Sequence, residues 1–169
     1  MSTQLSQILQ KQKEQITKPK IEDAQDKDIV QLVGFIVGNE EYAVPILSIQ
    51  EIIKPIEYTR VPSIPEYVLG VFNLRGNVIP LIDLRRKFRL PAKQEDTETR
   101  YIVMKDEDNI AGFVIDKLTE AIRIKSSQID PPPETLSHSA DQGMIYGVGK
   151  KDNSILTILK VNALLKRDF

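Results

Sequence analysis

Apolar and polar positions along the chain change rhythm often and never settle into a long helical period. Residues Ile29–Val37 are almost continuously apolar. The polar break Gly38-Asn39-Glu40-Glu41 and the resumption Tyr42-Ala43-Val44 predict a strand, a turn and a returning strand. Pro45 suits the first turn of a helix, and Ile46, Ile49 and Ile53 follow at spacings of three and four, so a short helix is predicted up to Lys54-Pro55. Ser63 with Glu66 three residues on has the form of a capping box, predicting a helical turn through Leu69. Apolar runs at 70–74 and 78–82 flank Arg75-Gly76-Asn77, a hairpin signal. Asp83 is placed to cap a short basic helix over 84–89, which Pro91 ends. Runs at 100–104 and 110–115 predict another strand pair, 121–124 a further strand, and 144–149 with 155–159 a last hairpin. Val161, Leu164, Leu165 and Phe169 predict a C-terminal amphipathic helix.

These signals amount to about nine short strands with turns every 8–12 residues, the pattern of an all-β barrel or sandwich with short helices. Composition agrees. From residue 29 onward there are 19 Ile and 12 Val against 13 Leu and 6 Ala, and nine of the ten prolines lie there. Branched Cβ atoms favour the pleated surface, and the prolines punctuate the chain too often for long helices. Residues 1–28 differ: five Lys and five acids accompany few aliphatics and no aromatic, too little apolar surface to repay ordering. They are expected to be a disordered tail on a domain spanning 29–169. Leu5, Ile8, Leu9 and Ile16 nevertheless sit roughly at helical spacing, as a segment that docks on a partner would have.

Charge and chemistry narrow the function. The 169 residues carry 23 Lys plus Arg against 24 Asp plus Glu, which argues against a polycation built to grip nucleic acid. There is no Cys and a single His, His138, so thiol nucleophiles, Cys-ligated metals and multi-histidine sites are excluded, and no cofactor is expected. No apolar run nears the length of a membrane span. The catalytic signatures of hydrolases, zinc proteases and dinucleotide enzymes are missing, and Gly149-Lys150 lacks both the spacing and the following hydroxyl of a phosphate loop. Asp83 and Asp116 could be paired for acid–base work, but their places suit a helix cap and a strand end. The run Arg85-Arg86-Lys87-Phe88-Arg89 is either a solvated helix face or a docking patch, with Arg85 and Arg86 the candidates for contact. Arg75, at a strand end among aliphatics, suits a binding hot spot or an internal ion pair equally well.

One ordered series of motifs is specific. Tyr42-Ala43-Val44-Pro45-Ile46, Ile49-Gln50-Glu51-Ile52, Gly70-Val71-Phe72-Asn73-Leu74-Arg75-Gly76 and Ile79-Pro80-Leu81-Ile82-Asp83-Leu84-Arg85 lead it. Gly112-Phe113-Val114-Ile115-Asp116, Ile129-Asp130-Pro131-Pro132-Pro133 and Gly147-Val148-Gly149-Lys150 follow. The series resembles the CheW-like chemotaxis coupling proteins across 29–169. Two departures stand out: Lys160 replaces a usual acid, and the first 28 residues match nothing. The resemblance implies two packed five-stranded SH3-like β-barrels. It also implies a non-catalytic cytoplasmic adaptor, joining the tips of transmembrane chemoreceptors to the histidine kinase CheA in membrane-associated arrays. By position, Ile49 and Glu51 match the family's V-x-E-I segment and Arg75 the arginine of its N-L-R-G motif. Ile102 and Val103 match an apolar pair lining the receptor groove. A CheV-type regulator is the alternative; it needs a receiver domain of roughly another 100–150 residues, for which a chain ending at Phe169 is expected to leave no room.

Overall fold

The computed structural model describes residues 28–133 and 142–166. The expected tail therefore lies almost wholly outside the described residues, as do His138 and Phe169. Ten strands form two five-stranded sheets. They are β1 (Ile29–Val37), β2 (Glu40–Pro45), β3 (Ile49–Ile53), β4 (Val68–Leu74), β5 (Asn77–Asp83), β6 (Arg100–Asp106), β7 (Asn109–Ile115), β8 (Lys117–Lys125), β9 (Ile145–Lys151) and β10 (Ser154–Leu159). Among the described residues the α-helices are single turns, α1 (Leu84–Lys87) and α2 (Val161–Leu164).

Two helical expectations are corrected. Only Ile46–Ser48 is helical, as a 3-10 turn, and residues 49–53 form β3. Over eight residues the threefold and twofold periods of isoleucine coincide, and pairing with β6 decides for the strand. Likewise Ser63–Glu66 caps no helix: residues 62–67 are turns and a bend, and Val68 and Leu69 already belong to β4.

The sheet orders are β8-β1-β2-β10-β9 and β3-β6-β7-β5-β4. Each has one parallel junction, β2 with β10 and β5 with β7, between antiparallel neighbours. The two sheets are thus the same arrangement used twice, with the chain entering it at different points. Details repeat as well. The Asp83 N–H donates to the Tyr67 carbonyl, and the Lys160 N–H to the Met144 carbonyl. Isolated bridges Thr59–Val71 and Asp130–Val148 pin the edge strands β4 and β9. Beside them, a Cβ on Gly70 would strike the Thr59 carbonyl and one on Gly147 the Asp130 carbonyl. The first sheet draws on both ends of the chain; the second is contiguous from 49 to 115.

Three apolar clusters explain why so many strands read as apolar on both faces. Phe35, Tyr42, Val44, Ile82, Phe88, Ile102, Met104, Phe113 and Leu164 share a central cluster fed by both sheets. Leu32, Ala43, Leu156 and Ile158 fill a cluster of the first sheet, and Phe72, Ile79, Leu81, Tyr101 and Val103 one of the second. Along β6, Tyr101, Ile102, Val103 and Met104 therefore alternate between two cores, and all four are buried.

The sheets are tied where β7 passes into β8. Asp116 accepts from the backbone N–H of Gly38, in the β1–β2 turn, at 2.9 Å, and from Arg85 Nη2 at 2.7 Å and Nε at 2.9 Å. Its own N–H donates to the Ile36 carbonyl. Asp83 caps α1 as expected, accepting from the Arg85 backbone N–H at 3.1 Å.

Candidate functional site

The two edge strands of the second sheet, β3 and β4, meet at an ion pair. The pair grows from the β4–β5 hairpin, in which Leu74 opposes Asn77 and the two-residue turn is Arg75-Gly76. Both residues have positive φ, 52° and 86°, the signature of a turn whose twist matches the strands it joins. Gly76 answers the second requirement; nothing crowds the place a Cβ would take, so conformation and not space calls for glycine there. The Asn73 side chain accepts from the Gly76 N–H at 3.0 Å and clamps the turn. The motif Asn73-Leu74-Arg75-Gly76 thus reads as clamp, partly buried apolar residue, projecting cation and turn glycine.

Held at this tip, Arg75 reaches Glu51 on β3. Nη2 donates to Oε1 at 2.6 Å and Nε to Oε2 at 3.2 Å, a fork that fixes both side chains in one plane. The hydrogen bonds from Arg75 hold the Glu51 carboxyl below its usual range, and those to Glu51 raise Arg75 further. The Arg75 side chain remains 74% exposed against 22% for Glu51, so its outer edge faces solvent. A bulge between Ile49 and Glu51 breaks the pairing of β3 with β6 and turns this edge outward.

Exposed aliphatics stand on the segments that carry the fork and on the turn before β3. Leu47, on the 3-10 turn leading into β3, is 96% exposed, Val78 on the Arg75 hairpin is 68% exposed, and Ile46 and Ile52 are partly open. A groove lined by Leu47, Ser48, Ile49, Gln50, Lys105 and Glu107 runs beside the start of β3. Exposed aliphatics such as Val78 and Ile52, on the hairpin and edge strand that carry a rigid, partly solvated arginine, can supply contact area and register to a docking partner.

Of the expected contact residues, Glu51 and Arg75 meet in the fork, and Ile49 lines the groove at the start of β3 while packing partly against the central cluster. Ile102 and Val103 pair with Ile52 and Glu51 from the neighbouring strand β6, and both are fully buried. Their side chains enter the central cluster and that of the second sheet respectively, because β6 has a core on each face. The internal ion pair considered for Arg75 exists, and it leaves the guanidinium accessible. Arg85 departs from the docking expectation. Its guanidinium donates to the Pro91 carbonyl and to Asp116, whose hydrogen bond raises it above the ordinary arginine range, and the side chains of Arg85 and Asp116 are both largely buried. Arg86 is half-buried against Asp83 and the Glu66 carbonyl. Asp83 and Asp116 are near one another, but each is occupied as described. Burial pushes the Asp83 carboxyl up, opposed by the Arg85 backbone N–H and Arg86.

Sequence reasoning missed Asn73 as the turn clamp, Leu47 as the most exposed large aliphatic among the described residues and Asp116 as the tie between sheets. An asparagine three residues before a turn glycine is a local signal and could have been read. The Asp116 contacts span 31 and 78 residues and leave no local trace.

Two five-stranded sheets of matched order on a common core, with this hairpin fork at one edge, define a CheW-like domain. A family model described by that name matches residues 31–169, and the chain belongs to the family. Among individual proteins it is similar to the chemotaxis protein CheW of Helicobacter pylori, with 56% identity over 169 residues covering all of both chains. The crystal structure of the scaffolding protein TtCheW from Thermoanaerobacter tengcongensis matches with a TM-score of 0.75 at 29% identity, over 82% of this chain and 89% of that one. Chemotaxis protein CheV3 of Helicobacter pylori is 29% identical over 80% of this chain, but the match covers 47% of that protein. The adaptor family is therefore shown, and the two-part regulator is the less supported kinship. Among the described residues no helix is long and apolar enough to cross a membrane.

Proposed function

We propose that this protein is a non-catalytic chemotaxis adaptor that couples the cytoplasmic tips of chemoreceptors to the histidine kinase CheA. The observation that carries the reading is the Glu51–Arg75 fork, locked at an edge strand amid exposed aliphatics. Receptor tips are helical hairpins, so recognition is helix-in-groove: Ile49 and its neighbours supply area, and Arg75 supplies register. Contacts of this kind sit at the small end of interface sizes and are individually weak; repetition in a membrane-bound array compensates through effective concentration.

Co-sedimentation with receptor-containing membranes, with and without the kinase, tests the reading, with kinase autophosphorylation measured in the pellet. The parent protein is expected to raise kinase recovery and activity. Arg75→Ala is expected to keep its circular dichroism spectrum and to lose about tenfold or more in receptor association. A folded Arg75→Ala protein that sediments like the parent would remove Arg75 from the interface. A parent protein that links neither partner would overturn the adaptor reading.

A further inference from the structure

A second groove, of about 440 Å³, lies on the opposite side of Ser48 from the one beside β3. Its walls include Val30 of β1, Pro45, Ser48, Asp106 at the end of β6, Tyr146 of β9 and Val161 of α2. The Tyr146 ring stands 57% exposed at its mouth. We propose that this groove is the docking site of the chain's own N-terminal segment, seated through Leu5, Ile8 and Leu9.

Position argues first. β1 begins at Ile29, and Val30 is already part of the wall, so the start of the described chain lies at the groove. A segment tethered there meets the groove at an effective concentration in the millimolar range, where weak apolar contacts suffice. Pattern argues second. Leu5, Ile8 and Leu9 have the i, i+3, i+4 spacing that puts three aliphatics on one helical face, the form that fills an apolar groove. Charge argues third. Residues 1–20 carry four Lys and one Glu, whereas the β6–β7 turn beside the groove presents Asp106, Glu107 and Asp108, with Lys105 and Lys160 as the nearby cations. A segment seated here would border the start of β3 across Ser48, next to the docking face but not on it.

The test uses the full chain. It contains no Cys, so Ser6→Cys carries a single nitroxide label, and paramagnetic broadening of backbone amide signals reports where that segment spends its time. The expected result is selective loss of the Val30, Ser48, Asp106, Tyr146 and Val161 signals. The signals should return when Ile8→Ser and Leu9→Ser are added, and also in Tyr146→Ser. Uniform broadening, none, broadening centred on Leu47 and Ile52, or loss that persists in Ile8→Ser/Leu9→Ser would each overturn the proposal. Broadening that vanishes when isotope-labelled, spin-labelled chain is diluted with unlabelled parent would place the segment on a second copy, and so would also overturn it. No receptor or kinase enters the measurement, so its outcome is independent of the adaptor reading.

Discussion

Replacing Asp116 with alanine should destabilise the whole domain, because one carboxylate holds the two sheets and α1 together. Three hydrogen bonds disappear, two from the Arg85 guanidinium at 2.7 and 2.9 Å and one from the Gly38 N–H at 2.9 Å. A hydrogen bond to a charged group contributes about 1.5–3 kcal/mol, but the three share one acceptor and do not add. Arg85 also keeps its bond to the Pro91 carbonyl and its edge is 18% exposed, so water relieves part of the stranded charge. A net loss of about 2–4 kcal/mol follows, toward the lower end of what breaking a buried pair costs. Urea unfolding followed by far-ultraviolet circular dichroism measures it directly, since the chain has no Trp to report by fluorescence. Arg85→Ala should cost less, because Asp116 retains Gly38. The double variant should fall short of the sum by about 1–3 kcal/mol, the coupling of residues in direct contact. An Asp116→Ala protein within about 0.5 kcal/mol of the parent, the range of an unremarkable surface change, would refute the tie.

Other expectations follow from the duplicated arrangement and from burial. Lys160 occupies the place in the first sheet that Asp83 occupies in the second, but caps α2 with no side-chain hydrogen bond; Lys160→Asp should add about 0.5–1 kcal/mol to the unfolding free energy. Gly70→Ala forces a Cβ onto the Thr59 carbonyl and should cost about 1–3 kcal/mol, read from the same urea curves. Burial raises the phenols of Tyr42, most strongly, and Tyr101, the latter to about 12. The folded state then holds protons that the unfolded chain releases from about pH 10. The associated stability is intact below pH 10 and should drain away between 10 and 12, a loss that Tyr42→Phe should reduce in an alkaline unfolding series.

Local chemistry made most of the fold legible. The Arg75-Gly76 turn, the Asp83 cap and the strand pairs at 29–44, 100–115 and 145–159 each depend on neighbours within a few residues, and each was predicted near its observed place. Residues 46–53 went wrong because eight residues cannot separate two periods when isoleucine serves both, and the deciding partner, β6, lies some fifty residues away. The candidate site was half legible. Arg75 stood out by composition, but its dependence on Glu51 is a contact across 24 residues created by the curl of a sheet. Ile102 and Val103 were expected in a groove by their match to the family's apolar pair, and a positional match does not say that both faces of the strand are already covered.

The interleaving of the chain's two ends bears on how a ribosome can deliver this molecule. Residues 49–115 emerge as a contiguous unit and can pair among themselves while synthesis continues. The opening hairpin cannot, because β2 takes its outer neighbour from β10, at 154–159. From the first minute of its life that hairpin presents a bare row of peptide groups to every other nascent chain nearby. Only translation of the final strand retires it, so premature termination downstream of β7 would leave half a protein folded and the other half adhesive.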